Sequence, residues 1–211
     1  MKLKYSHYRD MGDLKIGMGT SGDSILDKYG LKELETKPVG QWTGEDRKNV
    51  LSACKKENMA PQLPVLFNQA NIELLLKKSH CRGCGSCCGW GPNAVPADSH
   101  GLFLFENELK RIGQRSKIIS KQIELKAARH ESDANARYLP FPCIFRSNHR
   151  CKVYESRPFA CRTFPLLNYA IDGKYYIAVN VQCEYGSDIY LAALEEIGNK
   201  VASDSLSNDL K

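Results

Sequence analysis

The sequence predicts an α+β fold. It reads as a small cysteine-rich, metal-organised domain with one or two β-hairpins and flanking helices, preceded by a helical N-terminal extension. Three observations carry that expectation. Eight of the nine cysteines fall between residues 81 and 183, four of them in the run CRGCGSCC (81–88). Two strand-like stretches, PLLNYAI (165–171) and KYYIAVNV (174–181), are joined by Asp172-Gly173. Asp-Gly signals a hairpin because both central residues of a type I′ turn need positive φ. Apolar residues also recur at helical spacing on both sides of this region.

Length and composition bound the class. The chain has 211 residues, 42% hydrophobic and 26% charged, which suits one domain with a long extension or two small domains, each able to pack a core. No apolar run reaches the roughly 18–20 residues of a membrane helix. The start, MKLKYSHYRD, has no apolar stretch behind its lysines and is not expected to be a secretory signal. The expected location is the cytoplasm, where structural disulfides are rare. Nine cysteines there read as metal ligands first. The formal charge of +6 counts every thiol as neutral. Two four-thiolate sites, each at about −2 with zinc or an oxidised four-iron cluster, bring the balance to about +2. Nucleic acid and membrane are therefore not expected as partners, whereas a redox or other protein partner is.

The N-terminal extension is placed at 1–77 and the cysteine-rich domain at 78–205. In the extension, Asp23 to Leu34 reads as a helix with Ile25, Leu26 and Tyr29 on one side. Thr43 and Asp46 form a Thr-x-x-Asp start for a second helix, with Val50, Leu51 and Cys54 on its inner face. Pro61 and Pro64 punctuate the next stretch, and Phe67, Ile72, Leu75 and Leu76 predict a third helix running to His80. Beyond the cysteine run, GLFLF (101–105) is a strand or the lead-in to a helix carrying Phe105, Leu109 and Ile112, with Ile119 and Ile123 continuing the repeat. Residues 130–137 read as a loop. Cys143 and Cys151 flank a turn at Ser147-Asn148-His149, the mark of a second, smaller hairpin. YESRPFAC predicts one helical turn with Ser156 as cap and Pro158 in the first turn, where its missing N–H costs nothing. In the larger hairpin, pairing Ile171 with Lys174 would carry Cys161 to a point opposite position 184, beside Cys183. A closing helix carries Tyr190, Leu194, Ile197 and Val201 on one stripe, with Ser187 or Asp188 as cap and a frayed tail.

The chemistry lies in the thiols. A Cys-x-x-Cys-x-x-Cys run lets one loop wrap a compact centre with three sulfurs, the spacing used around four-iron clusters. Gly83, Gly85 and Gly89 allow backbone N–H groups to turn toward those sulfurs. Adjacent Cys87 and Cys88 are hard to aim at one metal, so two sites, or one ligand and one spare, are both open. The expected metal ligands are Cys81, Cys84, Cys87, Cys88, Cys143, Cys151, Cys161 and Cys183. No catalytic residue and no other cofactor-binding residue stands out.

The order Cys81, Cys84, Cys87, Cys88, then Pro142-Cys143, Cys151 before VYESRP, Cys161 within RPFACRTFP (157–165), and Cys183 resembles the YkgJ-type family of CxxCxxCC zinc- or iron-chelating domains. The resemblance covers about residues 78–185 and implies metal binding without choosing the metal. A (4Fe-4S) iron–sulfur cluster, one or two per chain, with an electron-transfer or redox-accessory role, is the leading expectation. A zinc-stabilised structural or interaction module is the alternative. The CxxCxxCC element also resembles one in flagellin lysine methylases, which would imply an S-adenosylmethionine-dependent enzyme; no further methylase motif accompanies it.

Other residues have plainer readings. Cys54 is a buried small hydrophobe. His80 and His149 are neighbours of ligands rather than ligands. Arg82, Arg150, Arg157 and Arg162 support the thiolates, and Lys110, Arg111, Arg115, Lys117 and Lys121 form a solvated helix face. GMGTSG (17–22) spells G-x-G-x-x-G but lacks the surrounding βαβ unit and reads as a loop.

Overall fold

The computed structural model describes residues 25–37, 39–89, 102–113, 128–129, 136–139, 142–147, 150–171 and 173–208. In chain order it contains α1 (Ile25–Lys28), α2 (Gly44–Lys56), β1 (Gln62–Leu66), α3 (Gln69–Leu76), β2 (Leu102–Phe105), α4 (Glu106–Gly113), β3 (Ala128–Arg129) and β4 (Ala136–Leu139). Then come β5 (Arg146–Ser147), β6 (Arg150–Cys151), α5 (Phe159–Thr163), β7 (Leu166–Ile171), β8 (Lys174–Val179) and α6 (Glu184–Asn208). The expected α+β class holds. Among the described residues, no helix is long and apolar enough to cross a membrane. GMGTSG, the Ile119 and Ile123 repeat and His149 lie outside the described residues.

The described chain divides into two units, one built from residues 25–80 and 165–208, the other within 81–164. In the first, a three-stranded antiparallel sheet of order β1-β8-β7 packs with α2, α3 and α6. Val50, Cys54, Leu63, Leu75, Ile177 and Leu194 are buried at its centre.

Local chemistry explains each element. The helix expected over 23–34 stops after Lys28. Gly30 takes φ +70°, Leu31 N–H reaches Leu26 O at 2.7 Å and Gly30 N–H reaches Asp27 O at 3.0 Å. Those two bonds form a glycine-terminated Schellman end, and a 3-10 turn at Lys32–Glu35 comes next. Helix α2 starts where the sequence places it. Asp46 N–H donates to Thr43 Oγ1 and Asp46 Oδ2 accepts from Thr43 N–H, a complete capping box. Helix α3 starts where Asn68 caps it by accepting from Asn71 N–H at 3.0 Å, and it ends at Leu76, short of the expected His80.

Strand β1 was hidden by its prolines. Leu63 and Val65 point into the core and Pro64 points away, on a strand at the sheet edge where a missing donor is tolerated. The β7–β8 hairpin has the expected register, from Ile171↔Lys174 to Leu166↔Val179. The ladder ends there. Asn180 N–H still donates to Pro165 O at 2.8 Å, but Pro165 has no N–H to return. Cys161 therefore sits on helix α5 and not on an extension of the strand. Helix α6 begins at Glu184, ahead of Ser187 and Asp188. Ser187 instead donates its Oγ hydrogen to Val181 O at 2.8 Å. Tyr190, Leu194 and Ile197 are buried as expected, and the helix continues to Asn208 through the tail expected to fray.

In the second unit, β2 runs directly into α4 and pairs with β4, whose first residues lie where a loop was expected. The small β5–β6 hairpin forms between the two predicted cysteines, with Arg146 opposite Cys151. Among the described residues, Leu104, Ile112, Cys143, Phe145 and Val153 make the buried core of this unit.

Candidate metal centre

The CRGCGSCC loop is shaped by glycine. Gly83 and Gly85 take φ of +68° and +89°, conformations that a side chain strains. They turn the chain so that Gly83 N–H donates to Cys81 Sγ at 3.4 Å, and a 3-10 turn is formed at Ser86–Cys88. The Arg146 guanidinium lies across the loop and donates to Gly83 O at 3.1 Å. Cys81, Cys84 and Cys87 are exposed and Cys88 is half-buried.

Cys143 N–H donates to Cys88 O at 2.8 Å, tying the loop to the next cysteine segment. The Cys143 sulfur receives the backbone N–H groups of Phe145 and Arg146, and the Cys151 sulfur that of Val153. Both cysteines thus sit in tight knuckles at the ends of the β5–β6 hairpin. Cys161 comes from α5, whose first amide, Phe159 N–H, donates to Glu108 Oε1 at 2.5 Å. Ser156, expected to cap that helix, instead lies in the preceding 3-10 turn and donates to Val153 O.

Residues 80–184 match the model of the CxxCxxCC family, whose description is "Putative zinc- or iron-chelating domain". That segment belongs to the CxxCxxCC family. No curated protein and no solved structure matches the chain.

Within the CxxCxxCC domain the thiols sense one another. Cys88, Cys143, Cys151 and Cys161 form a set in which every pair interacts electrostatically. Cys87 interacts with Cys88, Cys81 and Cys161. Burial pushes Cys143 up to about 11 and Cys161 up to about 12, and raises Cys151. Cys88 is the exception. A hydrogen bond from Cys87, with the Arg146 and Arg157 guanidiniums behind it, lowers it to about 6. Its neighbour Cys87, 4.0 Å away sulfur to sulfur, is raised chiefly by the same hydrogen bond. Arg157 is held in place by Tyr154, whose ring lies 3.8 Å from its Cζ and whose carbonyl accepts from Nε at 3.0 Å.

The donor set fits the family's description. It is made of thiols, the soft ligands of zinc and of iron–sulfur clusters, and backbone N–H groups already point at three of the sulfurs. Among the described residues no three Cys, His, Asp or Glu side chains close into a formed metal site. Cys183 belongs to the first unit, where it packs beside the apolar core just before α6. Cys54 is buried in that core, and His80 is exposed.

Two residues escaped sequence reasoning. Arg146, which lies across the cysteine loop, has no motif to mark it. Glu108 left a readable trace: it stands three residues after Phe105, where the strand becomes a helix, and its Oε2 accepts from Phe105 N–H at 3.1 Å. That is the second half of a capping box.

Proposed function

We infer that this is an iron–sulfur protein that moves electrons or serves a redox enzyme, with its clusters held by Cys81, Cys84, Cys87, Cys88, Cys143, Cys151, Cys161 and Cys183. The observation that carries the reading is the glycine-shaped Cys-x-x-Cys-x-x-Cys loop, which offers three exposed sulfurs from one turn of chain. Cys88, Cys143, Cys151 and Cys161 are proposed to share one centre, a reading supported by the Cys143 N–H bond to Cys88 O and by the influence of the four thiols on one another's titration. A bound cluster supplies a one-electron redox couple. The chain's own part is to direct N–H groups at the sulfurs, which tunes that couple, and to set Arg146 and Arg157 against the thiolate charge.

A second reading is a zinc-stabilised structural module. It is favoured by the two knuckles of the β5–β6 hairpin, since structural zinc takes closed four-thiolate sites.

Metal and acid-labile sulfide content, with a visible spectrum, on protein purified without oxygen decides between them. Iron and sulfide in matched amounts near four or eight per chain, with a charge-transfer band, support the cluster. One or two zincs without sulfide sink it in favour of the module.

A further inference from the structure

The second unit holds a cavity of about 260 Å³ in which no thiol takes part. The described residues lining it are Phe105, Asn107, Glu108, Arg111, Phe159 and Arg162. Its organising feature is a buried carboxylate. Glu108 accepts Phe105 N–H on one oxygen and Phe159 N–H on the other, at 3.1 and 2.5 Å. A single side chain from α4 thereby fixes the end of β2 and the start of α5. The two residues it fixes carry exposed rings, Phe105 at 44% and Phe159 at 42% exposure. Arg111, also on α4, is anchored by donating to the carbonyls of Ser156 and Arg157 at 3.4 and 3.3 Å. Arg162 lies on α5, three residues beyond Phe159.

The lining holds two arginines and one carboxylate whose oxygens are both engaged by backbone amides, so it carries an excess of positive charge. Guanidinium forks match carboxylate and phosphate oxygens, and exposed phenyl rings favour a flat apolar partner. The volume sits just below the roughly 300–1,000 Å³ of typical ligand pockets, enough for a ring and one anionic group. We propose that this cavity binds a small organic anion, a carboxylate or phosphate carried on a flat apolar body. The site is separate from the thiols, although α5 contributes both Cys161 and the Phe159–Arg162 wall.

The test is titration of the full chain, as purified with its metal, with phenyl phosphate and with benzoate, followed by calorimetry and by amide NMR shifts. Inorganic phosphate and phenol report the charge and the ring alone. Saturable binding of one whole anion, tighter than either fragment and with shifts centred on Phe105, Phe159 and Arg162, is the expected result. Which of the two binds tighter tells phosphate from carboxylate. Arg162→Gln should weaken binding about tenfold, the scale of one charge-assisted contact, and Phe159→Ala by several-fold. Phe159→Leu keeps the apolar bulk of α5 and should bind more weakly than the native chain with its fold intact. No saturable binding, shifts elsewhere, or native affinity in Arg162→Gln and both Phe159 variants overturns the proposal. Metal content is read separately, so the pocket and the metal reading can fail independently.

Discussion

The Arg146 guanidinium fills the space beside Gly85: a β-carbon built there would lie 2.6 Å from Arg146 Cζ. The arginine is flexible at that end, so Gly85→Ala is expected to displace it and not to unfold the unit. It also strains a backbone at φ +89°, at about 1–2 kcal/mol. Gly83→Ala brings a similar strain at φ +68° but meets nothing within 4 Å. Gly85→Ala should therefore lose metal content as well as Tm, and Gly83→Ala mainly Tm. Equal metal loss in the two variants would show that Arg146 is no clamp.

Cys88 should be the first thiol alkylated in metal-free protein at mildly acidic pH. Its thiolate, favoured by Cys87 and the two arginines, persists down to about 6, against an ordinary value of 9.0. The rate should fall as pH drops through about 6. The folded value lies below the ordinary one, so the thiolate's contribution to stability is complete above about pH 9 and is lost as pH falls through about 6. Iodoacetamide labelling followed by peptide mass spectrometry measures it. Labelling that tracks an ordinary thiol curve would refute the assignment.

Cys54 should be silent in metal binding. It is fully buried, and burial pushes its thiol up to about 12. Cys54→Ala should keep the native metal content and lower stability by about 1 kcal/mol, the scale of a small lost group in a core. Cys143→Ser should lower the metal content itself. The comparison is made by metal analysis on both variants, and unchanged metal in Cys143→Ser would remove that residue from the ligand set.

Glu108 should matter for stability out of proportion to its place outside the cysteine pattern. Glu108→Ala strands the part-buried Phe105 and Phe159 amides, at about 1 kcal/mol for each. Glu108→Gln keeps one acceptor oxygen and should lose about half as much. Denaturant titration reads both, and a Glu108→Ala loss below that of Glu108→Gln would contradict the clasp.

Metal removal should loosen the second unit first. Five buried side chains make its core among the described residues, and small domains of this kind draw much of their folding free energy from bound metal. After chelation, hydrogen exchange is expected to quicken across 81–164 while the β1–β8 amides stay protected. Protection that falls equally in both units would argue against a metal-dependent fold.

Much of this was legible because local chemistry dictated it. The Thr43 capping box, the Asp172-Gly173 register and the hairpin between Cys143 and Cys151 depend on neighbours in sequence. The features that stayed hidden depend on distant partners. Strand β1 looked like a proline-broken linker, since only its place at a sheet edge makes Pro64 acceptable. Cys161 left the hairpin because Pro165 ends the ladder. The cap of α5 comes from Glu108, fifty-one positions earlier, and not from Ser156 nearby. For the site, the residue types were readable from spacing. The bond from Cys143 N–H to Cys88 O emerged only when two distant segments were folded together.

The pairing of Gln62 with Ala178 has a consequence for biosynthesis. As the chain leaves a ribosome, β1 emerges without a partner and waits while the whole cysteine-rich stretch is made. Seven of the eight candidate ligands, from Cys81 to Cys161, are thus made before β8 exists to complete the first sheet, and Cys183 follows it. Pro64 makes the waiting strand a poor template for pairing with another chain.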